Sequence, residues 1–215
     1  HNPSAPQTDR LIEDADRVGM RALLDSSAVD AEILRAGPFR GLDEERLFEE
    51  FETQAARFGA SRAFAGRYLR DEPSAEQAPI VGQAARVAAL ADPARPAFST
   101  LAASGDETAR FAAMGLPALL FDAYPLEERS SQTPQAFAAW MAAHKRAAEA
   151  ARQAAKPLWA FIQTFGAPDF HRRPTAQETR AQAYALLALG ARGLLYFLLD
   201  SDPFMDGLLD ARQRP

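Results

Sequence analysis

Five short apolar runs in this 215-residue chain end in clusters of side chains able to do chemistry. They are DSS at 25–27, RDEP at 70–73, FDAYP at 121–125, IQTFG at 162–166 and LLDSD at 198–202. Asp25, Asp71, Glu72 and Asp122 are carboxylates, which can move protons as general acids or bases or attack as nucleophiles. Tyr124 and Gln163 carry groups that bond hydroxyls, and Trp159 brings a flat apolar ring. Just past the fourth cluster stand His171, Arg172 and Arg173, and guanidinium forks match carboxylates bidentately.

Composition narrows the chemistry. A net charge of −5 and a pI near 5.3 leave no electrostatic footprint for nucleic acid. Cysteine is absent, which excludes disulfides, thiolate metal sites and a cysteine nucleophile. No apolar stretch reaches the roughly 20 residues of a membrane span. The three histidines, His1, His144 and His171, are too scattered for a zinc site, and His144 is expected on a helix surface. The expectation is therefore chemistry without a metal or organic cofactor. Because the chain opens on His1, an upstream segment, with any targeting signal it held, is expected to have been removed or omitted. The residues fix no compartment, and the leaning is to an extracellular or periplasmic one.

Something must carry those clusters to one place. Residues 1–10 read as a flexible lead and 11–215 as one domain. LIEDADRVG has apolar positions at helical spacing and ends at Gly19. In LDEERLFEEFETQAARFG, the stripe Leu42, Leu47, Phe48, Phe51, Ala55 and Phe58 predicts a helix closed by Gly59. Ser74 with Gln77, and Thr175 with Glu178, match the capping box that opens a helix, so Glu178 is assigned to structure. Pro134 after Thr133 fits a first helical position. The runs RALLD, AFAGRYLR, RPAFST, PALLFD, KPLWAFIQ and GLLYFLL predict six strands alternating with helices. Near-continuous apolar strands in strict alternation imply a parallel sheet covered by helices. No Gly-rich phosphate loop opens any helix, which disfavours a nucleotide-binding open sheet. In a barrel the loops after the strands share one face, and all five clusters fall there.

On RYLRDEPSAEQ, FDAYP, KPLWAFIQTFG and RRPTAQETRAQAYALLALGARGLLYF, the sequence resembles bacterial barrel glycoside hydrolases of a β-galactosidase-like or agarase-like group. The resemblance runs from about Leu11 to Arg212. It implies a (β/α)8 TIM barrel in which the six runs are strands three to eight. Strands one and two and the last helix are absent from that alignment, so a missing segment or a second chain is expected to complete the barrel.

The resemblance also assigns roles. Glu72 matches the general acid/base at the end of strand four, and Asp71 stands where many such barrels carry Asn. At the end of strand seven, where many carry a nucleophilic Glu, this chain has Gln163. The second carboxylate that glycoside hydrolysis needs is then Asp122, or else Asp25, Asp200 or Asp202. Asp71, Tyr124, Gln163, Trp159 and Asp25 would hold a carbohydrate substrate, the aromatic rings against its C–H faces. Arg172 and Arg173 would bind an anionic sugar. Two rivals stand beside this reading: a glycan-binding or assembly module on a degenerate barrel, and a barrel lyase or isomerase.

Overall fold

Each apolar run pairs as a parallel strand and each amphipathic stretch coils as a helix in the computed structural model, which describes residues 5–25, 27–127, 134–199, 201 and 203–209. The order is α1 (Ala5–Val18), β1 (Ala22–Asp25), α2 (Ser27–Arg40), α3 (Glu44–Phe58), β2 (Phe64–Arg70), α4 (Ala78–Ala91), β3 (Ala97–Ala102), α5 (Glu107–Met114), β4 (Leu119–Asp122), α6 (Pro134–Gln153), β5 (Leu158–Gln163), α7 (Ala176–Ala188) and β6 (Gly193–Phe197). All six predicted strands form. α1 already begins at Ala5, inside the stretch read as a flexible lead. Thr133, Asp200, Asp202 and His1 lie outside the described residues.

The chain divides into two compact units. The first holds the described residues up to Thr100 together with Ala109–Pro117. Here β1 pairs with β2 and β2 with β3, all parallel, with Asp25 opposite Tyr68 and Arg70 opposite Ser99. Parallel neighbours need a crossover, and α2 with α3, and then α4, supply it. α2 was not foreseen, and it runs through a Gly37-Pro38 step. Val29 and Ile33, one helical turn apart, are nonetheless fully buried and anchor it. In α3, Leu47, Phe51 and Phe58 are buried, and Asp43 caps the helix by accepting from the Arg46 amide at 3.1 Å. Ser74 and Gln77 do exchange side-chain-to-backbone bonds (3.0 and 3.3 Å), but they close the turn just before α4.

A cation sits in the core of this unit. Arg67 of β2 is fully buried, and its guanidinium donates to Gln54 Oε1 (3.0 Å), the Phe51 carbonyl (3.0 Å) and Asp92 Oδ2 (3.2 Å). The rings of Phe51 and Phe64 flank it, with centroids 5.1 and 5.0 Å away. Burial pulls the Arg67 pKa below its ordinary value, with Asp92 opposing the shift.

The second unit holds Leu101–Thr108 and the described residues from Ala118 on. β4 pairs with β5 and β5 with β6, again parallel, with Phe121 opposite Ala160 and Gln163 opposite Phe197. α6 and α7 lie against β5. His144, expected at the surface, is fully buried. Its ring stands edge-on to Phe121 at 5.0 Å, its Nδ1 lies 3.0 Å from the Trp140 carbonyl, and burial lowers its pKa to about 4. Gly193 is required by packing, since a Cβ there would lie 2.7 Å from the Trp159 ring. α7 opens with the predicted capping box, Thr175 and Glu178 each bonding the other's backbone amide.

Candidate functional site

In the first unit the polar side chains gather where the strands end. Asp25 closes β1 and is exposed. β2 runs out at Arg70, whose guanidinium pairs with Asp30 of α2 at 2.5 Å. Asp71 and Glu72 follow, both exposed. The Tyr68 hydroxyl donates to Asp71 Oδ1 at 2.6 Å and shares a 2.7 Å hydrogen bond with Thr100 Oγ1. Glu72 has φ +42°, a left-handed conformation that few residues other than glycine adopt. Its amide is held by the Thr100 carbonyl at 3.1 Å. Thr100 thus grips both acids from the end of β3, one through Tyr68 and one through the backbone. The Glu72 side chain makes no hydrogen bond or ion pair with any described residue and extends into solvent.

Tyr68 and Thr100, which hold Asp71 and the backbone of Glu72, were not singled out in the sequence. Strand alternation gave no signal for this contact, since it puts Tyr68 on one face with Arg70 and not with Asp71 three residues on.

In the second unit Asp122 closes β4, where alternation turns it away from the face on which Phe121 meets His144. Asp122 is buried, with a relative exposure of 8%. Trp140 Nε1 donates to the Ala123 carbonyl at 2.9 Å and fixes the chain as it leaves the strand. Tyr124 then packs edge-on to Phe165 at 5.0 Å, near-parallel to Phe197 at 6.1 Å, and against His171 at 5.9 Å. It also lines a cleft of about 480 Å³ with Pro125, Glu127 and Trp140.

Three expectations about this unit are corrected. Gln163 is not presented as a hydroxyl ligand, because it is fully buried and its amide is engaged by backbone. Its Oε1 accepts from the Leu126 amide (3.1 Å), and its Nε2 donates to the carbonyls of Arg172 (3.0 Å) and Phe165 (3.2 Å). From α7, Gln182 Oε1 accepts from the backbone N–H of Gln163 at 3.0 Å. Arg172 is not open to an anion either, since both arms of its fork hold Glu178. That pairing keeps the Glu178 carboxyl down at about 2. Trp159 is the second residue of β5, packed over Gly193 and four residues short of the strand exit. Arg173 alone of the two arginines remains exposed.

No protein-family model matches the chain, and no curated protein does. Solved structures do. A candidate alpha-L-fucosidase from Bacteroides thetaiotaomicron aligns over 93% of this chain and 66% of its own, at 13% identity and a TM-score of 0.66. Bacteroides uniformis beta-glucuronidase aligns over 100% of this chain and 29% of its own, at 12% identity and TM-score 0.59. An endoglucanase aligns over 97% and 73%, at 11% identity and TM-score 0.65. The chain thus spans 66% of the first of these relatives and under a third of the second. At such identities the likeness is one of fold. Six parallel strands alternating with helices among the described residues, and neighbours that are barrel glycoside hydrolases, make this a (β/α)-barrel fold, with six strands of the eight that close such a barrel.

Proposed function

We propose that the chain belongs to a glycoside hydrolase that cleaves an oligo- or polysaccharide by carboxylate acid/base catalysis. Glu72 protonates the leaving oxygen, and Asp122 supplies the base or nucleophile. Asp71, Tyr124 and Asp25 hold substrate hydroxyls, and Arg173 is open to the carboxylate or sulfate of an anionic sugar.

The observation that carries this reading is Glu72 itself. A solvated carboxylate stands at the carboxyl-terminal end of a parallel strand on a strained left-handed backbone, held there by Thr100. Backbone strain of this kind costs of order 1–3 kcal/mol and persists where the surroundings over-determine it, often at functional sites. Barrel enzymes carry their catalytic groups at this end of the strands, and the fold is one that glycoside hydrolases use.

The test is a glycan-panel hydrolysis assay with wild type, Glu72→Gln and Asp122→Asn. Loss of a general acid is expected to slow turnover by about 10²–10⁴ with an unchanged melting temperature for Glu72→Gln. Equal turnover in wild type and Glu72→Gln would falsify the assignment.

One observation favours a second reading. The end of β5 carries a buried amide, Gln163, committed to loop structure. A barrel that binds glycan without cleaving it would need no acid there. Saturable glycan binding by wild type, with no product from any panel member, selects that reading.

A further inference from the structure

The amino-terminal ends of β5 and β6 carry a second feature, independent of any hydrolytic activity. Lys145, Glu149 and Arg152 of α6, then Lys156 and Arg192, surround a cleft of about 390 Å³. Positions 145, 149, 152 and 156 are spaced at i, i+4, i+7 and i+11, so the first three share one helical face and the fourth prolongs its line. Arg192, the residue before β6, borders the same cleft. The floor between them is aliphatic: Ala148, Ala151, Leu158 and Leu189.

The acid in this lining is already neutralised. Glu149 accepts from Arg152 at 2.6 and 2.8 Å and from Gln153 Nε2 at 2.8 Å. The side chains of Lys145, Lys156 and Arg192 form no ion pair with any described residue, in a chain whose net charge is −5. Cations near a helix C-terminus complement its dipole, which accounts for Arg152 in the last turn of α6. That effect fades within one turn, so it does not account for Lys145, eight residues before the helix ends, or for Arg192 on another element.

We infer that this cleft is a binding surface for an anionic polysaccharide bearing carboxylate or sulfate groups, set within the second unit at the opposite strand ends from Asp122. β5 has six residues, so the two ends lie roughly 20 Å apart along the strand. Lys145 and Lys156, eleven positions apart, and Arg192 across the cleft spread their charge over a length that suits an extended polyanion better than one small anion. The lining has no aromatic ring on which nucleic-acid bases could stack.

The experiment measures binding of fluorescently labelled polygalacturonate, dextran sulfate, neutral dextran and poly(U) by anisotropy, at low and at raised salt. Wild type is expected to bind one or both acidic polysaccharides, weaken as salt rises, and ignore neutral dextran. The two acidic probes separate carboxylate from sulfate recognition. The triple variant Lys145→Glu, Lys156→Glu, Arg192→Glu is expected to bind at least about tenfold more weakly. Lys145→Ala alone is expected to weaken binding about twofold. A charge-matched triple at exposed positions elsewhere, Arg62→Glu, Arg86→Glu and Arg180→Glu, is expected to bind nearly as wild type. Absence of wild-type binding, equal loss in the two triples, or poly(U) bound as tightly as the polysaccharides each overturns the inference.

Discussion

Gln163 shows how far one residue's role depends on what surrounds it. In the sequence it is a polar side chain at the exit of an apolar strand, and a hydroxyl ligand is a natural reading. In the structure its amide ties the segment after β4, through Leu126, to the loop after β5, through Arg172. Removing it would orphan a buried donor and open a void. Gln163→Ala is therefore expected to cost about 3 kcal/mol, read by urea denaturation; a loss under about 1 kcal/mol would contradict the role. Chemistry-bearing residue types were legible from the sequence, as Glu72 and Asp71 show. Their environments were not, because burial is decided by contacts with residues 19 to 37 positions away. Arg172 was misread at short range, because Glu178, six positions on, was recognised as a capping residue but not as the occupant of its fork.

Among elements, the strands were the more legible, since continuous apolar runs bounded by polar exits have few alternative readings. α2 is the less legible helix, since a Gly-Pro step is a helix breaker and the two apolar residues that anchor it lie in its first half. The contacts between elements are where the first unit draws its cohesion. Asp92, just past α4, neutralises Arg67 of β2, and it also meets Arg95 at 3.3 Å. An ion pair with one partner deleted leaves a buried charge, so Asp92→Ala is expected to destabilise by about 3–5 kcal/mol. Thermal or chemical denaturation checks this, and a loss below about 1 kcal/mol would show that the guanidinium is satisfied without the carboxylate.

For the molecule as a whole, the fold class follows from strand–helix alternation, and the neighbours agree with it. The pH response of stability belongs to this scale too. His144 has a pKa of about 4 when folded, against about 6.5 in an unfolded chain. Below pH 6.5 the unfolded chain therefore takes up a proton that the native state refuses. Stability falls as the pH drops from about 6.5 to about 4, by on the order of 3 kcal/mol from this group, and the contribution levels off below that. Melting temperatures across this range should decline less steeply in His144→Leu than in wild type. Parallel curves would show that the imidazole is hydrated in the native state.

The buried guanidinium of Arg67 also constrains how this chain can change over generations. Its hydrogen-bond partners come from α3 and from the residue after α4, 13 to 25 positions away. An all-apolar replacement of the set could be as stable as the original, yet every single-step route to it passes through a form with a stranded charge or an unmatched acid. Drift at Gln54, Arg67 and Asp92 is therefore expected to be correlated, so that deep mutational scanning of pairs, rather than singles, would reveal the permitted paths.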